Sequence, residues 1–180
     1  MLAVVAVALG LSIGLLGGGS VRALERLDFR HEWVLVVLFV VQGVSRGRIP
    51  GTSAISTGMV IWAAASAGLM ALLTFEVRET GVWAVLLGVA ANLLVVLLNA
   101  GMPVVLGPGV RPSTAGASIS ASAGFYHLAS VTSIAPALAD SLPIRVMGSR
   151  FFMSAGDLLI AVGIAMFIAR AMIFEPVRPV

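Results

Sequence analysis

The sequence contains no cysteine and no lysine, and only 11% of its 180 residues are charged. Without cysteine there are no disulfides, thiolate metal sites, iron–sulfur ligands or cysteine nucleophiles. Without lysine there is no Schiff base to retinal or pyridoxal phosphate, and no phosphate-binding lysine of a P-loop. All eleven basic residues are arginines. The sequence pI near 11.0 therefore reflects guanidinium chemistry, since the formal charge is only +3. Nucleic-acid binding calls for a clustered basic face, and the arginines instead sit in connectors between apolar runs, so no nucleic-acid partner is expected.

What the chain has in excess is apolar surface: 59% of residues are hydrophobic and the mean hydropathy is +1.09. A soluble domain averages about 45–50% apolar and about 25% charged residues. The composition predicts an all-α integral membrane protein in one membrane domain. Crossing the hydrocarbon core takes ~20 residues per helix, and the apolar runs divide into about five spans, near residues 2–19, 27–45, 53–75, 81–100 and 157–174.

The first stretch is charge-free and lacks a basic n-region, unlike a cleavable signal peptide. Its Ala6, Gly10, Gly14 and Gly18 recur every four residues, a stripe on which another backbone can approach closely. Gly17-Gly18-Gly19 ends the helix. The connector after it mixes three arginines with three acids, which is not a polybasic lipid patch. The apolar run from Trp33 to Ser45 is too short to span alone, so the second helix is expected to begin near Leu27. Five of the eight prolines fall at positions 103, 108, 112, 136 and 143, setting 103–150 apart as a long connector.

Within that connector, residues 112–139 carry no charge, with six serines, two threonines and eight alanines. Phe125, Leu128, Val131, Ile134 and Leu138 recur at helical spacing. That pattern predicts an amphipathic or re-entrant helix near 118–139, with a sixth span as the alternative. Counting arginines in short loops sets Arg22, Arg26, Arg30, Arg78, Arg170 and Arg178 against Arg46, Arg48, Arg111, Arg145 and Arg150. The expected orientation is an outside N-terminus and a cytoplasmic C-terminus.

Polar residues inside apolar spans are costly and mark candidate sites. Gln42 is the one large polar residue in the second apolar run, and Asn92 and Asn99 share a face with Gly88 in the fourth. The plainer reading of both asparagines is interhelical hydrogen bonding; the sharper one is a polar site for an ion or headgroup. Ser154-Ala155-Gly156-Asp157 fits a capping box, which explains Asp157 structurally; a role in proton or cation handling is the alternative. Asp140, before Pro143, reads as a turn or cap residue. His127, beside the sole tyrosine, has no metal-ligand pair at a recognisable spacing. Arg145 and Arg150 are candidates for a lipid phosphate. No metal, cofactor or catalytic residue is assigned, and no nucleophile elbow or nucleotide loop is present.

Two stretches, "NLLVVLLNAGMPV" from Asn92 and "ADSLPIRVMGSRFFMSAGDLLIAVG" from Ala139, carry a resemblance. They resemble an uncharacterised family, a domain of unknown function in small bacterial multi-pass membrane proteins. Its usual patterns are Asn-Gly-Gly-x-Met-Pro and Gly-Asp-x-x-Pro followed by Ser-x-Gly-Asp. This chain departs from them at Ala100, where the pattern has glycine, in lacking the residue before Met102, and at Ala139. The resemblance implies a bacterial cytoplasmic membrane and carries no activity. It also implies that Asn99, Met102, Pro103, Asp140, Pro143, Ser154, Gly156 and Asp157 belong together, with the connector folding back to bring the fourth span's end against the fifth span's start.

Three functional readings follow. The first is a non-enzymatic subunit or scaffold that binds partner helices, lipid or further copies of itself. The second is a transporter or channel component for an ion or small solute. The third is a membrane enzyme acting on a lipid or isoprenoid, with His127 and the carboxylates as acid and base. The lack of any complete catalytic set favours the first.

Overall fold

A computed structural model describes residues 2–27, 31–48, 56–106, 125–146 and 149–174. Among the described residues, five α-helices carry the fold: α1 (Leu2–Leu16), α2 (Glu32–Arg48), α3 (Thr57–Leu73), α4 (Val82–Asn99) and α5 (Ala155–Ile173). Three of the apolar helical stretches, Thr57–Glu76, Val82–Asn99 and Ala155–Ile173, are long and apolar enough to cross a membrane. The apolar helices Leu2–Leu16 and Trp33–Ser45 are shorter. The five spans expected from composition thus appear as three helices of spanning length and two shorter ones.

The helices pack in the order α1, α5, α4, α3, α2, which differs from their order in the chain. Association between apolar helices in lipid gains little from the hydrophobic effect and relies on close backbone approach and hydrogen bonds. Both devices are present. Gly81 and Gly88 of the α4 side meet Gly163 and Gly156 of α5 in antiparallel register. A Cβ on Gly163 would lie 2.6 Å from the Gly81 carbonyl oxygen, and one on Gly156 would lie 2.6 Å from that of Gly88. On its other side α5 receives α1 through the predicted small-residue stripe. A Cβ on Gly10 would lie 2.9 Å from the Ala165 carbonyl oxygen, and Gly14 abuts Met172. The α1 helix stops at Gly17–Gly19, where Gly18 takes a left-handed φ of 80° and Ser20 N donates to Met172 O at 3.1 Å.

The α2–α3 pair is joined differently. Leu35 and Leu38 of α2 pack beside Leu69 and Leu73, and Gln42 Nε2 donates to Ser66 Oγ at 2.8 Å. Helix α2 does not begin at Leu27, as its apolar length predicts. Ser20 caps a 3-10 helix over Val21–Arg26, Leu27 is extended, and His31 at φ 66° leads into Glu32. The 3-10 turns bond the backbone over Ser20–Leu27 locally, and α2 starts at Glu32.

The long connector also departs from expectation. Residues 107–124, which include the first part of the predicted 118–139 helix, lie outside the described residues. The remainder is not an amphipathic helix. Strand β1 (Met102–Val104) pairs in parallel with β2 (Tyr126–Leu128), a turn follows, and a 3-10 helix covers Pro136–Leu138. Local competition explains this. Ser130 and Ser133 side chains bond to turn amides, Ala135 sits at φ 54°, and Pro136 offers no N–H. The apolar spacing is therefore partly fortuitous: Phe125 is 2% exposed and Val131 is 104% exposed. Phe125 packs edge-on against Trp62 of α3 and against Tyr126 in a core that includes Val95, Val96 and Met102. A hairpin of β3 (Leu142–Val146) and β4 (Ser149–Met153) leads directly into α5.

Candidate functional site

The connector returns the chain to α4 in a series of backbone bonds. Helix α4 ends with Ala100 at φ 52° and Gly101 at φ 146°, both bonding back to Val96 O. Met102 N then donates to Phe125 O at 2.8 Å, Asp140 N to Pro103 O at 3.0 Å, and Val105 N to Asp140 O at 2.9 Å. Ser141 N donates to Met153 O at 3.2 Å, and Ser154 follows as the N-cap of α5. The end of α4 and the start of α5 therefore lie at one end of the helix bundle.

There the sequence-predicted residues Asn92, Ser154 and Asp157 meet. Ser154 Oγ donates to Asn92 Oδ1 at 2.7 Å and accepts from Asp157 N at 2.9 Å. Asn92 Nδ2 donates to Asp157 Oδ1 at 2.8 Å, and Ser154 N reaches Asp157 Oδ2 at 3.4 Å. The predicted capping box is complete, and α4 contributes a side chain that binds both of its members. Asn92 and Ser154 are buried, while Asp157 is half-buried. The approach of Gly88 to Gly156, one turn from Asn92, brings the backbones close enough for so short a set of bonds.

Asn99 lies further along α4 and makes a different contact. Its Nδ2 donates to Ile134 O at 3.0 Å while its Oδ1 accepts from Ile134 N at 2.8 Å. One amide thus clamps both backbone groups of a connector residue onto the helix end. Asp140 is buried beside β1, in a bridge with Val104. His127 stands in β2, opposite Pro103 and next to Gly101. It is half-buried, and burial holds its pKa below the ordinary 6.5. Arg145 and Arg150 are paired positions in the backbone register of β3 and β4.

Chemically, the Asn92–Ser154–Asp157 cluster resembles a lock more than a reaction centre. The Ser154 hydroxyl gives its proton to an amide oxygen and accepts from the Asp157 backbone N–H. Among the described residues, no group of three or more His, Asp or Glu could hold a metal ion. Ser66 is the polar partner that sequence reading missed. It lies in an Ala/Gly-rich helix where a serine ordinarily bonds its own backbone, as Ser66 also does with Trp62 O at 2.8 Å. The equal seven-residue spacing of Gly81–Gly88 and Gly156–Gly163 was a signal for the α4–α5 contact.

A family model for a family of unknown function, DUF5317, matches residues 26–169. The chain belongs to this family. The DUF5317 match contains the Asn92–Ser154–Asp157 cluster, the Asn99 clamp, His127, Asp140 and the β3–β4 hairpin. Neither a curated protein nor a solved structure matches the chain.

Proposed function

We propose that this protein is a non-enzymatic, multi-pass membrane protein that serves as a subunit or scaffold and binds partner helices or lipid. The observation that carries the reading is how its intramembrane polar groups are used. Gln42 is bonded to Ser66, Asn92 to Ser154 and Asp157, and Asn99 to Ile134. Polar side chains spent on holding helices together support assembly and do little for catalysis or conduction. The outer faces of the two edge helices add to this. Val4, Leu9, Ile13 and Leu16 of α1 and Trp33, Val37 and Val40 of α2 are exposed apolar residues.

The proposed location is a bacterial cytoplasmic membrane, with the N-terminus outside and the C-terminus cytoplasmic, supported by the sequence resemblance and the arginine count. Affinity purification from native membranes, with identification of co-purifying proteins and lipids, tests the function. A stoichiometric membrane partner, a homo-oligomer or retained lipid is the expected result. Recovery as a lone monomer stripped of all three would overturn it.

A further inference from the structure

We propose that the turn over residues 128–134 is a lipid anchor, which carries Leu128, Val131 and Ile134 into the boundary between headgroups and acyl chains beside the end of α4. The inference rests on the multi-pass reading above and deepens its lipid-binding arm by naming the surface that meets the lipid. All three side chains are exposed, Val131 completely so, in a stretch that has no charge from residue 112 to residue 139. The chain on either side of the turn is drawn into the protein. Phe125 is buried against Trp62, and Leu138 packs on the same core. The turn between them projects outward from a chain held at both ends.

The polar groups of the turn are bonded within the protein. Ser130 N donates to Ser133 Oγ at 2.9 Å, Ser133 N to Ser130 O at 3.1 Å and Thr132 N to Ser130 Oγ at 3.3 Å. The Ser130 and Thr132 hydroxyls share a bond of 2.8 Å, and Asn99 takes both backbone groups of Ile134. A backbone amide brought into lipid is costly unless it carries its own partner, and the amides of Ser130, Thr132, Ser133 and Ile134 do. Asn99 also sets the level of the turn. It is the last residue of α4, a helix long and apolar enough to cross a membrane, and its amide donates to Val95 O one turn back. Ile134 is thus clamped beside the end of a spanning-length helix, where hydrocarbon gives way to headgroups. Leu94, Leu97 and Leu98 on the last turns of α4 are exposed apolar residues too, so apolar surface continues from the helix to the turn. Protein interfaces are anchored mainly by Trp, Tyr and Arg, whereas the exposed side chains here are aliphatic, which assigns the turn to lipid.

The chain has no cysteine, so each single-cysteine variant takes one label. The test uses the full chain as V131C, with L87C in α4 and E79C in the charged connector before α4 as references, at positions that are exposed in the fold. Each is labelled with an environment-sensitive fluorophore and reconstituted into phosphatidylcholine and phosphatidylglycerol vesicles, with or without brominated acyl chains. V131C is expected to follow L87C, with blue-shifted emission, loss of intensity in brominated lipid and little quenching by aqueous iodide. Emission and iodide quenching like those of E79C would overturn the proposal. A blue-shifted V131C emission that brominated lipid does not quench would also overturn it, and its loss on dilution of the protein in the vesicles would assign the cover to a second copy of the chain. If V131C fails while L87C is quenched by brominated lipid, this anchor fails and the multi-pass reading stands. If L87C is not quenched either, the multi-pass reading itself fails.

Discussion

Asn92 and Asp157 lie sixty-five positions apart in the chain and share a hydrogen bond of 2.8 Å. The bond joins the middle of α4 to the first turn of α5, and two strand pairs, β1–β2 and β3–β4, lie between its ends in the chain. Asn92 completes a set of bonds that an isolated capping box leaves open, because it engages the Ser154 hydroxyl and the Asp157 carboxylate together.

Removing that amide should loosen the two helices. Asn92→Ala leaves a buried serine hydroxyl and one carboxylate oxygen without their partner, at a cost of about 1–3 kcal/mol. Asn92→Asp should cost more, since it sets a second carboxyl against Asp157. Unfolding in mixed micelles, followed by circular dichroism, would measure both. Equal stability of Asn92→Ala and wild type would show that the cluster does not hold α4 to α5.

The glycines make a paired prediction. Gly163→Ala should destabilise by about 1–3 kcal/mol, through overpacking against the backbone of α4. Gly43→Ala on α2 should be neutral or should stabilise by up to about 1 kcal/mol, through helix propensity. At Gly163 the added carbon meets Gly81 O at 2.6 Å, whereas at Gly43 nothing lies within 4 Å. The Gly163→Ala melting curve should move down while that of Gly43→Ala should not.

Ala100 occupies a left-handed position, φ 52°, at the end of α4. Glycine is favoured there because it has no Cβ to strain. Ala100 is exposed, so no packing is lost on substitution. Ala100→Gly is expected to stabilise the protein by about 1 kcal/mol, seen as a higher melting temperature.

His127 predicts a pH dependence. Burial keeps its pKa in the folded protein below the ordinary 6.5, so the unfolded chain binds more protons between the two values. Stability should therefore be at its full level above pH 6.5 and fall as the pH drops through the folded value. His127→Gln should remove this slope. Thermal melts between pH 5 and pH 8 would test it, and a slope that persists in the variant would assign it to another group.

Asn99 gives a local prediction. Its side chain is bonded to both backbone groups of Ile134, so Asn99→Ala should accelerate amide exchange around residues 130–138. Exchange in the middle of α4 should stay slow. Hydrogen exchange by mass spectrometry separates these regions.

Several local features were legible in the sequence because the residues that make them are neighbours. The glycine run ending α1 and the Ser154–Asp157 capping box need only a few consecutive positions. The Gly10 and Gly14 stripe was also readable as a packing face, though not its partner, Met172 and the Ala165 turn of α5. The connector was the least legible part. Phe125 and Leu138 show helical spacing and do reach the same core, yet Val131 between them is exposed, because the intervening backbone turns instead of spiralling. Ser66 gave no sign at all, since a serine in a small-residue helix looks alike whether or not a glutamine faces it.

The scarcity of charge, with no lysine and no cysteine, by itself determined the apolar helical character of this chain and removed whole classes of chemistry. Those conclusions depend on composition and on spacing within a few turns, where transfer cost and helix period apply residue by residue. Tertiary structure alone decided that α5 sits between α1 and α4, that Asn92 closes the Ser154–Asp157 box, and that β3 pairs with β4 in the register Leu142 to Met153. The first two are contacts between segments far apart in the chain, settled by which glycine faces allow two backbones to approach. The third is a strand register, which a shift of one residue would change.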